Sequence, residues 1–286
     1  MTHYVEGEGE DGAPYFGILY TQNCANITVK NCTFTAHKTY KNIGSAGQTV
    51  SQGTYDISPF MTLNITFENC SQTTDILDTR YWGIMATNGC KNVTLDGCTF
   101  SRFDAHRGVW NLTIRNSTLG HQGVNLIGGG TATLESSTVY ATNFVSLRGD
   151  YGATWDGDLI IRGCVWYPNR GRTINTATVC LIGGSYDTLH DFGYECYMPR
   201  TVTLDGLRVE DGKAGAVYGG VTLFADFVPE DTSPNYRIKM QQAGKRLYHL
   251  TEELTVRGFS AKSGKDWKLC PNSYLLHGLT IYEPGT

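Results

Sequence analysis

"NITVKNCTF", residues 26–34, returns as "NITFENCSQ" at 64–72, "NVTLDGCTF" at 92–100 and "NLTIRNSTL" at 111–119. Looser copies follow as "TATLESSTV" (131), "DLIIRGCVW" (158), "TVTLDGLRV" (201) and "ELTVRGFSA" (253), and "GLTIYEPGT" (278–286) is a partial last one. Within each copy apolar and polar residues alternate with a period of two, the pattern of a half-buried strand. In the first copy Ile27 and Val29 point inward and Thr28 outward. Lys30-Asn31 turns a corner, where Asn or Gly tolerates the left-handed conformation. Cys32 and Phe34 point inward again. Two short strands per unit, meeting at a corner and repeated, describe one coil of a solenoid. A single coil cannot bury its own inner face, so coils stack and pair their strands in parallel. This reading puts Ile27, Ile65, Val93, Leu112 and Ala132 in one inward column, and Phe34, Phe100, Leu119 and Val139 in another.

Composition agrees with an all-β chain. The 286 residues include 34 glycines and 17 tyrosines but only 8 prolines, and 17% are charged; helices draw on Ala, Leu, Glu and Lys instead. A net charge of −4 offers no general attraction to nucleic acid or to an anionic membrane surface. No run of 18 apolar residues suits a membrane span. The opening "MTHYVEGEGEDG" lacks the apolar stretch of a signal peptide. The chain is read as a single β-helix domain over 1–286, with regular coils over about 15–210 and a loop-rich part over 211–286. Its first coil begins almost at once, which fits a piece of a longer protein.

Two features that look like processing signals are absorbed by the repeat. Cys32, Cys70, Cys98 and Cys164 hold one repeat position, which Ser117 and Ser137 fill in other copies. A residue that alternates with serine is a small core-filler, so the reading expects reduced, buried thiols and no disulfide framework. Zinc spacing is absent from the cysteines. The seven Asn-x-Ser/Thr sequons, at Asn26, Asn31, Asn64, Asn69, Asn92, Asn111 and Asn116, are corner asparagines followed by outward threonines or serines.

Spacing between copies locates a groove. Successive units start 38, 28, 19, 20, 27, 43 and 52 residues apart. A bare coil takes the minimum, and anything longer is a loop leaving the solenoid. Insertions at 35–63 and 71–91 form one wall and those at 140–157, 166–200 and 210–252 the other, with 92–139 as a low floor suited to a linear polymer. On that floor lies "SRFDAHRG" (101–108), where Asp104 and His106 alternate and Arg107 follows. Adjacent coils add His121 in "GHQG", then Tyr140, Arg148 and Asp150; just upstream "DILDTRYW" carries Asp75, Asp78, Arg80, Tyr81 and Trp82. Arginines that neutralise a uronate carboxylate acidify the neighbouring C–H, and a His or Tyr can then remove that proton. Asp104, His106 and Arg107 are the catalytic candidates. Arg148, Arg80, Tyr81, Trp82, His121, Tyr140, Asp78 and Asp150 are the substrate-binding ones. No cofactor is expected; calcium is considered at Asp75/Asp78 and at Asp150/Asp156/Asp158.

The repeat resembles the right-handed parallel β-helices of the pectate-lyase-like superfamily, which implies three sheets, inward ladders of Val, Ile, Cys and Asn, and carbohydrate-binding loops along one face. "FDAH" (103–106) resembles the F-D-P-H segment of mannuronan epimerases in that superfamily. That resemblance implies catalytic roles for Asp104 and His106 and a substrate-engaging role for Arg148. Ala105 stands in place of the proline, and Ser101 where the catalytic tyrosine would be. Polygalacturonases share "GHQG"-like and "RIK" (237–239) segments, but their aspartate pairs are missing. Three functions therefore stand open. The first is a lyase or epimerase acting on an acidic polysaccharide. The others are a non-catalytic phage tailspike or adhesin β-helix, and an inverting hydrolase using Asp104 with Asp78 or Asp150. The enzyme would be secreted and monomeric, the tailspike virion-associated and trimeric.

Overall fold

The computed structural model describes residues 19–34, 40–43, 49–52, 55–79, 85–148, 154–184, 196–225, 248–270 and 279–282. They form a parallel β-helix. Its first face is a nine-stranded parallel sheet running Ala25–Lys30, Leu63–Glu68, Cys90–Asp96, Val109–Arg115, Gly128–Glu135, Trp155–Arg162, Thr201–Asp205, Glu253–Arg257 and Thr280–Tyr282. Ile27, Ile65, Val93, Leu112, Ala132, Leu159, Val202 and Leu254 are in register along it, with Val29, Phe67, Leu95, Ile114, Leu134, Ile161, Leu204 and Val256 two residues on. These columns are the core, so the expected inward alternation holds.

After each corner a second face begins, with Thr33–Phe34, Ser71–Gln72, the start of Thr99–Asp104, the start of Thr118–Leu126, Thr138–Val139, Val165–Trp166, Arg208–Val209 and Ser260–Ala261. Phe100, Leu119 and Val139 stack here, followed by Trp166 and Val209. The expected column is interrupted once: Phe34 pairs with Gln72, which lies between it and Phe100. Gln72 tolerates burial because its Nε2 donates to Thr74 Oγ1 (2.8 Å) and its Oε1 accepts from the Ser101 N–H (2.6 Å).

A third face corrects the two-strand description of a coil. It is built from Leu19–Gln22, Ile57–Phe60, Met85–Ala86, the ends of Thr99–Asp104 and Thr118–Leu126, Val145–Leu147, Val179–Gly183 and Val221–Phe224. Part of every interval read as loop is therefore solenoid, including 179–183 and 221–224. Loops do leave the helix, among them an antiparallel hairpin of Tyr40–Ile43 with Thr49–Gln52. In-register pairing continues past residue 211, through Glu253–Arg257 to Thr280–Tyr282.

Two columns of local hydrogen bonds hold the coils in register. Asn26, Asn64, Asn92 and Asn111 all have φ between 55° and 62°, and the amide Nδ2 of Asn64, Asn92 and Asn111 donates to the Oδ1 of the preceding rung at 2.8–2.9 Å. Asn111 Oδ1 then accepts the Thr131 N–H, and a side chain at Gly130 would collide with it. At the other corner Asn31, Asn69, Gly97, Asn116, Ser136, Gly163, Gly206 and Gly258 occupy the left-handed region in successive coils. All seven sequon asparagines thus sit at positive φ, the conformation Asn adopts more readily than most residues.

The thiol column obeys one rule. The Sγ of Cys32, Cys70, Cys98 and Cys164 and the Oγ of Ser117 and Ser137 each donate to the carbonyl two residues back. The serine hydroxyls also accept the N–H of Cys98 and Ser117 from the preceding coil, at 3.0 and 3.1 Å. Either side chain therefore closes the same turn. Eight cysteines form no disulfide among the described residues, with Cys70, Cys90, Cys98 and Cys164 buried and Cys32 half-buried; the side chain of Cys196 lies outside the described residues.

Two outcomes follow for stability. Asn92→Ala places a Cβ-bearing residue without a ladder amide in the left-handed region and should cost about 1–3 kcal/mol in urea unfolding, with Asn92→Gly recovering the conformational part. Burial pushes the Cys98 and Cys164 thiols from 9.0 to about 11. A raised folded-state value means stability is complete below pH 9 and is lost as pH climbs toward 11. Each thiol contributes up to about 1.4 kcal/mol per pH unit. Cys98→Ser should flatten that slope, and native protein should titrate few thiols until denaturant exposes at least these eight.

Candidate functional site

The strand Thr99–Asp104 carries the motif. Phe100 and Phe103 fill the core, so Arg102 and Asp104 face out from the third face. Asp104 nonetheless has no exposed surface. Its Oδ2 receives three donors. Arg102 Nη2 comes from the same strand at 2.5 Å, Tyr55 Oη from two coils earlier and Arg148 Nη1 from two coils later. Its Oδ1 is buried with no hydrogen-bond partner among the described residues. Rungs lie about 4.8 Å apart, so Tyr55 and Arg148 reach across neighbouring coils from opposite directions and close over the carboxylate. The Arg102 guanidinium lies 5.3 Å from the Tyr55 ring centroid. Burial and the Asp104 charge raise the Tyr55 hydroxyl well above the ordinary phenol range, so it remains a donor.

His106 lies at the corner leaving this strand, half-exposed. Its ring centroid is 5.8 Å from that of Tyr55, and its Nδ1 is 3.2 Å from Asn88 Oδ1. With an amide oxygen as partner Nδ1 carries the proton, which leaves Nε2 the basic nitrogen of the neutral ring. Asn88 is itself held by its Nδ2 donating to Ser58 Oγ at 3.3 Å.

Asp104, His106 and Arg148 thus converge through Tyr55, whereas other candidates go elsewhere. Arg107 is exposed at the corner and held by its backbone: its N–H donates to the Thr87 carbonyl and its own carbonyl accepts from the Gly89 N–H. His121 occupies a bulge between Leu119 and Gly123, its N–H bonded to the Ile76 carbonyl at 3.0 Å. Tyr140 stacks on Tyr167 with ring centroids 4.4 Å apart and planes 8° from parallel, and burial raises its hydroxyl. Asp78 closes a turn, its N–H donating to the Asp75 carbonyl, while Asp75 Oδ1 accepts the Leu77 N–H. Asp156 is paired with Arg200 at 3.0 Å and Asp158 accepts from Thr201 at 2.8 Å. Among the described residues no three metal-ligating side chains gather. Arg80, Tyr81, Trp82 and Asp150 lie outside the described residues.

The main correction is one of access. An Asp104 expected on the floor of an open groove is instead buried beneath Tyr55 and Arg148, which reach its carboxylate from the segments on either side of the floor. Arg102 was missed although its two-residue offset from Asp104 carries the signal. Tyr55, 49 residues away within an insertion, has no local signal.

No protein-family model matches the chain, and no curated protein matches its sequence. Among solved structures, that of the Streptococcus pneumoniae surface protein and adhesin PfbA aligns over 92% of this chain and 68% of its own. The identity is 13% and the TM-score 0.40. No described helix is long and apolar enough to cross a membrane.

Removing the buried carboxylate should be severe. Asp104→Ala leaves two guanidinium groups facing each other without their counter-ion, for an expected loss of about 3–5 kcal/mol by chemical denaturation. Tyr55→Phe removes one donor and should cost about 1–3 kcal/mol.

Proposed function

We propose that this chain binds an acidic polysaccharide on its third face, at a rim made by Tyr55, His106 and Arg148, as a non-catalytic binding module of the adhesin or tailspike kind. The observation that carries this reading is the complete burial of Asp104 under three donors. A carboxylate paired twice with arginine and shielded from solvent is out of a substrate's reach. It is well suited to orienting the arginines and the tyrosine around it. The partly exposed Arg148 edge and the half-exposed His106 then offer donors to a uronate carboxylate and its hydroxyls. A surface or virion setting goes with this reading, and so does trimeric assembly.

The half-exposed His106, fixed by Asn88, favours a second reading. It would serve as the base that removes the proton beside a carboxylate held by Arg148, in a lyase or epimerase.

Calorimetry with polyuronate and neutral oligosaccharides distinguishes the two when ultraviolet absorbance and NMR watch the same mixtures for unsaturated ends and inverted uronates. Binding without turnover, selective for uronates, is expected. Arg148→Lys and His106→Ala should each weaken it by about tenfold or more, with the melting temperature unchanged in His106→Ala. Turnover that His106→Ala lowers by about 10² to 10⁴ establishes the enzyme instead. Neither binding nor turnover across the panel removes both.

A further inference from the structure

Around the corner from His106, in the same coil, the chain exposes a large aromatic. Trp110 is 46% exposed on the outer side of the first face. Its seat is side-chain-free: Trp110 is in register with Gly129, and Gly130 follows. A Cβ on Gly129 would stand 2.7 Å from the indole Cζ3, and one on Gly130 3.1 Å from Nε1. These two atoms lie on opposite sides of the ring system, so the indole spans both glycines with one face on their backbone and the other to solvent. A side chain at either position would lift it off the sheet. Gly129 also passes close to the Asp156 carbonyl, and the Asp156 carboxylate in the next rung is already neutralised by Arg200 at 3.0 Å.

The other flank is cationic. Lys91 is the direct neighbour of Trp110 in the preceding rung and is exposed, and Arg107 is exposed at the corner three residues before Trp110. Neither makes an ion pair among the described residues, whereas their first-face neighbours Lys30 and Arg115 do. A flat aromatic face beside two uncompensated cations is complementary to one chemical class, a carboxylated pyranose. The ring's C–H face lies on the indole and the carboxylate turns toward the previous rung, about 4.8 Å away.

We infer that Trp110, Lys91 and Arg107 form a second subsite that stacks a uronate ring, so that an acidic polysaccharide crosses the corner at His106 and lies on two faces of the solenoid. The inference rests on the polysaccharide reading above and adds a site to it. Arg107 thereby has a binding role and no part in chemistry.

Calorimetric titration of the whole chain with a polyuronate oligosaccharide tests it, alongside NMR of the indole N–H resonance that disappears in Trp110→Phe. That resonance should shift on titration. Trp110→Ala should weaken binding by about tenfold, and Trp110→Phe should restore most of it. Lys91→Gln with Arg107→Gln should reduce both affinity and its salt dependence. Circular dichroism melts of these surface variants should match the parent. If Arg148→Lys and His106→Ala weaken binding while Trp110→Ala does not, the rim reading stands and the second subsite is overturned. If Trp110→Ala alone weakens it, the subsite stands and the rim falls. Equal binding of a neutral oligosaccharide overturns the role of Lys91 and Arg107. Self-association of the chain that Trp110→Ala abolishes, with no effect on glycan binding, makes this face a contact between copies and ends the inference.

Discussion

Everything in this molecule depends on stacking each coil on the next at one rung spacing, and the corners enforce it. A strand rung is held only by parallel backbone hydrogen bonds, and a one-residue slip would turn every inward side chain outward. The left-handed corner residue makes each turn identical. The Asn26–Asn64–Asn92–Asn111 amide ladder and the turn-closing thiols and hydroxyls then tie each corner to its neighbours. With corners pinned, the inward columns from Ile27 to Leu254 superpose without further specification. Loops of very different length can leave the same coils because the register does not pass through them.

That rigidity explains how a carboxylate can be buried in an outward-facing row. Asp104 stands between rungs whose positions are fixed, so Tyr55 and Arg148 meet it from two coils away on either side. An ion cluster of this kind contributes little net stability over an apolar filling and a great deal of orientation, since losing any partner strands a buried charge. The cluster ties together residues 55, 102, 104 and 148, which come from both walls of the groove and its floor. It serves as a clasp on the scaffold, with His106 and the Arg148 edge at its rim. Trp110 shows the complementary arrangement: Gly129 and Gly130 remove side chains from the surface, and the aromatic is laid on the bare backbone.

The repeat, the inward columns, the corner asparagines and the equivalence of Cys and Ser were all legible in the residues themselves. They are consequences of strand periodicity and of backbone conformations that few residue types accept, both local properties. The nine-residue copies also marked the coils of 92–139 as the shortest, and Asp104, His106 and Arg148 do meet there. Less was legible where two segments met. The third face was hidden because its strands are short and lie inside intervals of variable length. Gln72 entered an apolar column because Thr74 and Ser101 satisfy its amide, a condition no alternation pattern reports. The exposure of Asp104 was decided by Tyr55, whose approach depends on where an insertion of no periodic character comes to rest. By itself, then, the chain determined the solenoid and the coils that carry the Asp104 cluster, because stacking follows from local alternation and turn chemistry. Only the tertiary structure decided which side chains cover which, because that depends on groups far apart in sequence arriving within hydrogen-bonding distance of one buried charge.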